Sequence, residues 1–411
     1  MTDEILAHAE DEYDARQTVE RLRRQAFADP EAGPDLAGVD LAALTAAEQA
    51  LAAARRHRRA AADAGRVIDN AGPNLNLGTE STGLEAVVTL RLSHLPTAIC
   101  HLLNAATHPL VSCTVKQASR EGRQTTIRRI RVTCRIEGYS APAIDTVELP
   151  DRKAHSFDLL PTLFPAELAA VRELTRATVS VLVEDLDSEK VEVHRTCPLW
   201  LLARSTAPLS VHDPTTGAEV DLTPYLGAFV TPNVPEVLDL LPVVRTKHPE
   251  HRLSGYQGSS DVVEPQVQAV FEALRDSGIG YVNSVIAFDP EDGTANQRIR
   301  LPRETLRYQS ANCLDGTVLV ASVLEAMSLR PAIVLVPGHA FVGWETWPNT
   351  DEWRYLETEM IWGARPYEMA RQRAEHLARS YQERAQESGD SLFRRWAMRD
   401  LRAIHSITPM E

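Results

Sequence analysis

The sequence predicts an α+β protein of several domains, and three observations lead there. The first part of the chain is Ala-rich and helical in pattern, the middle is a run of short alternating strands, and the last part alternates long helices with apolar strands. At 411 residues the chain is long enough for two or three separate cores, and its 44% hydrophobic and 24% charged residues are those of ordinary globular proteins.

Residues 1–68 form two helical stretches split by Asp29-Pro30-Glu31-Ala32-Gly33-Pro34-Asp35, the pattern of a helical hairpin. The second stretch carries Arg55-Arg56-His57-Arg58-Arg59, which on a helix reads as a solvated face beside acidic neighbours. A linker at 70–78 follows. Between 83 and 207, Leu84–Ser93, Leu110–Lys116, Ile127–Ile136, Thr178–Glu184 and Lys190–Thr196 read as short strands separated by turn signals. In the third of these, Ile130, Val132, Cys134 and Ile136 share one face and arginines fill the other, as in a half-buried antiparallel strand. Strands at this density predict a β-sandwich of immunoglobulin-like size, without the Cys-Trp-Cys hallmark. A polar turn, Asp213-Pro214-Thr215-Thr216-Gly217, then leads into a region at 211–411.

That last region carries the chemistry. Asn312 and Asp315 mark a helix start, and Leu319, Val320, Val323, Leu324 and Met327 recur at helical spacing behind it, so Cys313 falls at the N-terminus of a helix. Backbone N–H groups and the positive end of the helix dipole favour a thiolate there. Pro331–Val336 reads as a buried strand, Pro337-Gly338 breaks it, His339 opens a second strand through Trp344, and Pro348-Asn349-Thr350-Asp351 separates a third, Trp353–Ile361, which carries Glu357. Cys313, His339 and Glu357 are thus a nucleophile, a base and an orienting carboxylate in chain order. Glu359, two residues on and expected on the same face of that strand, is the rival carboxylate. Asp315 reads as a first-turn charge. For an oxyanion hole the backbone N–H of Cys313 is one donor, with Asn283, Gln297, Tyr308 and Gln309 as candidates for the second. A polar helix from Tyr367 to Gln386, a break at Gly389 and a basic amphipathic stretch through Arg402 close the chain.

The stretches around Asn312-Cys313-Leu314-Asp315-Gly316, Leu335-Val336-Pro337-Gly338-His339-Ala340-Phe341 and Tyr355-Leu356-Glu357-Thr358 resemble the core of the transglutaminase-like cysteine-enzyme superfamily. The similarity continues upstream through Val263–Leu274 and Gly280-Tyr281-Val282-Asn283, and spans roughly 222–411. The resemblance implies a papain- or transglutaminase-like α+β catalytic domain with a Cys-His-Asp triad, onto which Cys313, His339 and Glu357 map, Glu standing where Asp is usual. It implies a thiol-dependent acyl transfer to water, as in a peptidase or amidase, or to an amine, as in a cross-linking transglutaminase. A non-catalytic scaffold of the same fold is the remaining alternative. Bacterial relatives of this kind occur near the start of large helicase and nuclease proteins, which implies a role in defence.

Composition bounds the setting. The N-terminal residues lack a signal-peptide pattern, and the longest apolar region, 317–337, is interrupted by Glu325, Arg330 and Pro331. Cys100, Cys113, Cys134, Cys197 and Cys313 are odd in number and scattered, as in a reducing, cytoplasmic compartment. No Cys or His cluster has local metal-ligand spacing, so neither metal nor cofactor is expected. A net charge of −14 disfavours nucleic acid and leaves a polypeptide substrate, with the sandwich as a surface for a protein partner.

Overall fold

The computed structural model describes residues 84–410 except 93, 118–126, 151, 213–218, 283–294, 364 and 389–391, together with isolated residues between 14 and 53. The expected hairpin at 1–68, its basic cluster, the linker at 70–78, the turn at 213–217, Asn283 and the break at Gly389 lie outside the described residues, apart from single helical positions such as Asp14, Val19 and Ala47. The architecture is α+β, and the chain divides into two compact units, Val67–Thr206 and Ala207–Glu411, the second taken with Met1–Arg66.

The first unit contains β1 (Leu84–Leu90), β2 (His94–Pro96), β3 (Val111–Gln117), β4 (Ile127–Ile136), β5 (Ala143–Pro150), β6 (Ala154–Leu159), the short helix α1 (Pro165–Ala169), β7 (Thr175–Asp185) and β8 (Lys190–Leu202). They form a three-stranded sheet in the order β1-β3-β6 and a five-stranded sheet in the order β2-β8-β7-β4-β5. All pairings are antiparallel except β2 with β8. The alternation expected of β4 is the alternation found: Ile130, Val132, Cys134 and Ile136 are fully buried. They share one core with Val179, Val181 and Val183 of β7 and with Val111, Cys113, Val115 and Phe157 of the smaller sheet, so the two sheets pack face to face as a sandwich. On the outer side of β4, Arg131 meets Glu184 at 2.9 Å across the strand pair, and Arg129 meets Asp187 at 2.8 Å. Arg128 is answered by the buried Asp185 at 2.6 Å. These three arginines are therefore committed within the sandwich. Burial pushes the Cys113 thiol up to about 11 and the Cys134 thiol to about 12, which makes both inert packing residues.

The second unit begins with β9 (Thr206–His212) and β10 (Glu219–Asp221), followed by α2 (Pro235–Lys247), α3 (Val263–Arg275), β11 (Gly280–Tyr281), β12 (Ala295–Arg298), α4 (Pro302–Tyr308), β13 (Ser310–Ala311) and α5 (Cys313–Ala326). Then come β14 (Pro331–Val336), β15 (His339–Glu345), β16 (Trp353–Leu356), α6 (Glu359–Trp362), α7 (Tyr367–Ser388), β17 (Arg394–Ala397) and α8 (Met398–Ala403). The central sheet is antiparallel in the order β16-β15-β14-β17. Its middle strand β15 is buried at every position. The face carrying Val334, Phe341 and Tyr355 packs on Ala374, Leu377, Ala378 and Tyr381 of α7. Helix α5 packs against β14 and β15. It is apolar almost all round, with Leu314, Val318, Leu319, Val320, Val323 and Leu324 buried, as expected of a central rather than a surface helix. Each such side chain contributes on the order of 1.5–3 kcal/mol.

Two details depart from the sequence reading. The third strand stops at Leu356 instead of running to Ile361, because the chain turns at Thr358 into α6, so Glu357 and Glu359 do not share a strand face. The basic stretch before Arg402 is an edge strand, β17, followed by α8, because Arg394–Ala397 find β14 as a partner. Among the described residues, no helix is long and apolar enough to cross a membrane.

Candidate functional site

Asn312 is the N-cap of α5, and its side-chain oxygen accepts from the Asp315 N–H at 2.8 Å while Asp315 accepts from the Asn312 N–H at 3.0 Å. This reciprocal capping box fixes the first turn, and with it Cys313. Asp315 does more than complement the helix dipole. It is fully buried and also accepts from the Arg300 backbone N–H at 2.7 Å and its guanidinium at 2.8 Å, which anchors the helix start to the segment before α4.

The first turn of α5 is also pressed against the segment after β16. A Cβ at Gly316 would lie 3.0 Å from Thr358 Oγ1 and 3.5 Å from the Trp362 ring, so only glycine allows this approach without displacing a neighbour. Thr358 uses the proximity to donate to the Cys313 carbonyl at 3.3 Å, beside the 2.7 Å bond from Thr317.

His339 is delivered by the β14–β15 hairpin. Val336 pairs with His339 across Pro337-Gly338, and Gly338 has φ +75°, the Pro-then-Gly pattern of a type II turn. Glu357 is set one residue beyond β16, with its N–H bonded to the Ala370 carbonyl of α7 at 3.2 Å. The imidazole Nε2 lies 2.7 Å from Glu357 Oε2, and the other carboxylate oxygen of Glu357 accepts from the Glu359 N–H at 3.2 Å. His339 and Glu357 are 7% and 1% exposed, so the pair is shielded from water. Glu359 sits on the other side of the ring, its Oε1 3.7 Å from Nδ1. The Cys313 sulfur, a ring nitrogen of His339 and a carboxylate oxygen of Glu359 all lie within 4.8 Å of one another, and Cys313 is hydrogen-bonded to the imidazole.

The electrostatics follow from this packing. Burial alone would lower the His339 pKa, but the charge of Glu357, the hydrogen bonds the ring makes with Cys313 and to the Glu357 carboxylate, and the charge of Glu359 together raise it well above the ordinary value. Burial would raise Glu357, yet His339 and Arg373 hold its carboxyl below the usual range. For Glu359, burial and the charge of Glu357 outweigh His339 and the Tyr281 hydroxyl that donates to it, and its carboxyl is raised. Tyr281 is raised in turn, by burial first and then by Glu359.

The structure thus brings Cys313, His339 and Glu357 together, with Glu359 on the thiol side of the ring rather than in the place of Glu357. The proposed second oxyanion donors fare differently. Gln309 donates to the Ser277 carbonyl at 2.8 Å, Gln297 lies 3.5 Å from the carbonyl of its own neighbour Arg298, and Tyr308 is 57% exposed under the Arg307 guanidinium. Two buried donors, Nδ2 of Asn312, which precedes Cys313, and Nε1 of Trp362, whose ring lies against Gly316, have no hydrogen-bond partner among the described residues. Sequence reasoning did not single out Trp362, Thr358 or Arg373. Their contribution depends on the turn after β16 and the packing of α7, which no local pattern announces. Tyr281 was noted only through its segment.

Compared with known proteins, the sequence matches no family model and none of the curated proteins.

Proposed function

We propose that the protein is a thiol-dependent acyl-transfer enzyme, a peptidase or amidase acting on a polypeptide through Cys313, His339 and Glu357. The observation that carries this reading is the buried 2.7 Å bond from His339 Nε2 to Glu357 beside a cysteine at a helix N-terminus. Glu357 holds the ring proton on Nε2, which leaves Nδ1 for the thiol and stabilises the imidazolium formed when the thiol proton moves to the ring. The Cys313 sulfur attacks an amide carbonyl, and the N–H of the helix start meets the oxyanion. His339 then passes the proton to the leaving amine as the C–N bond breaks, giving a thioester. A water molecule, deprotonated by His339, attacks the thioester, releases the acid and restores the thiol. Transfer to an amine instead of water would make the same site a cross-linking transglutaminase. The resemblance to the transglutaminase-like superfamily supports the residue roles, and the sandwich is the natural surface for docking the polypeptide.

The test is a comparison of cellular proteins between cells carrying the wild type and Cys313→Ala. New chain ends that require Cys313 are the expected result, new cross-links would point to the amine acceptor, and identical protein profiles would contradict an enzymatic role.

A further inference from the structure

The side chains that serve the thiol reading are also a ligand set. A thiolate, an imidazole and a carboxylate are the donors that zinc takes, and they converge from three elements separated by long stretches of chain: Cys313 on α5, His339 on β15 and Glu359 on α6. We propose that Cys313, His339 and Glu359 bind one zinc ion, leaving its fourth position open, and that its occupancy switches off the thiol on which the proposed function rests.

Geometry supports the site. Tetrahedral zinc with bonds of about 2.0–2.3 Å sets its ligand atoms roughly 3.3–3.7 Å apart. The Nδ1-to-Oε1 separation is already 3.7 Å, and all three donor atoms fall within 4.8 Å, so closing the triangle requires an adjustment of about 1 Å or less from the partly exposed Cys313. The groups behind the ligands are those that metal-binding side chains require. Glu357 accepts a hydrogen bond from the Nε2 N–H at 2.7 Å and so presents Nδ1 as the lone-pair nitrogen, while the Tyr281 hydroxyl holds Glu359. Glu357 itself is engaged by Nε2 and by the Glu359 N–H, which makes it an orienting group and not a fourth ligand. Charge points the same way: with the thiol ionised and His339 neutral as a ligand, the three anions Cys313, Glu357 and Glu359 face the Arg373 cation, and a dication offsets the excess.

Three protein ligands with an open position make an exchangeable site rather than a structural one. Zinc displaces the thiol proton, which passes to the buffer, draws charge from the bound sulfur, and occupies the Nδ1 lone pair that His339 needs to carry a proton to the leaving amine. Metal binding and acyl transfer are therefore mutually exclusive.

The experiment uses the full-length protein stripped with a chelator. Zinc titrated against a chromophoric competitor should bind at one ion per chain. Cobalt added in its place should give a thiolate-to-cobalt charge-transfer band. Stoichiometric zinc should slow iodoacetamide labelling of Cys313 by at least about tenfold, reversibly on chelation. Cys313→Ser and Glu359→Gln should each weaken zinc binding by at least about tenfold, and Tyr281→Phe by a smaller factor. Absence of the cobalt–thiolate band in the wild type, or unchanged zinc affinity in both ligand variants, would overturn the proposal. Fast labelling of metal-free Cys313 that zinc does not slow removes the zinc site and leaves the thiol reading standing. A zinc site on an otherwise slow cysteine supports the metal proposal and contradicts the thiol reading.

Discussion

At the scale of single residues, the site turns on which carboxylate does what. Glu357 is bonded to Nε2 and Glu359 faces Nδ1, so the two should respond differently to the loss of charge. Cys313→Ala should abolish turnover while moving stability by no more than about 1 kcal/mol, since a partly exposed helix-start side chain loses little packing; thermal unfolding and activity measured together check this. His339→Ala should be nearly as damaging to activity as loss of the nucleophile, because triad members act as a unit. Glu357→Gln should leave a reduced but measurable rate, the amide keeping the shape and favouring the wrong tautomer. Should Glu359→Gln prove the more harmful to turnover, the roles of the two carboxylates are exchanged.

The same residues set a pH dependence of stability. His339 is raised above its ordinary value, so its contribution is fully present below about pH 6.5 and is lost as pH rises through the raised value. Glu357 is lowered, so its contribution is present above about pH 4.5 and is lost as pH falls through the lowered value. The Tm difference between wild type and His339→Gln should be widest between about pH 4.5 and 6.5 and should narrow in alkaline solution. A difference that grew steadily with pH would contradict a buried imidazolium–carboxylate pair.

At the scale of elements, the helix start and the hairpin were legible because their determinants are local. Asn312 and Asp315 form the capping box that their spacing announces, Pro337-Gly338 makes the turn its residues demand, and β4 alternates as its sequence does. The end of β16 was not legible: Thr358 and Glu359 carry no break signal, and the strand ends because Gly316 admits the chain against α5 and Glu357 bonds to α7. That Glu359 joins Cys313 and His339 as a ligand set while Glu357 also holds the ring was invisible for a related reason. Local ligand spacing detects donors on one turn or helix, whereas these come from three elements. The Arg300 anchor of Asp315 was equally hidden, and it carries a prediction. Asp315→Ala breaks both the capping box and a buried ion pair, and should cost roughly 3 kcal/mol in a denaturant titration and slow Cys313 labelling as the helix start loosens. An unchanged midpoint would show that the cap does not hold the nucleophile.

At the scale of the whole molecule, the division near residue 206 separates two kinds of architecture, a sandwich whose Cys113 and Cys134 thiols are buried and raised and a mixed unit holding every residue of the site. Because β9 pairs with β10 inside the second unit, a fragment beginning at Thr206 keeps that sheet, whereas one beginning at Val211 would cut the strand. The fragment from Thr206 should fold and keep a reactive Cys313, while its action on the natural substrate should fall far more than its reaction with a small thiol reagent. An insoluble fragment would mean that residues before Thr206, in the sandwich or in Met1–Arg66, complete the fold of the site.

The measurement that bears most directly on the central claim is the rate of iodoacetamide alkylation at each cysteine of metal-free wild type and His339→Ala near pH 7. Cys313 should react at least about tenfold faster than Cys100, Cys113, Cys134 and Cys197 in the wild type and lose that advantage without His339. A Cys313 no faster than the other four cysteines, or one indifferent to His339, would contradict it.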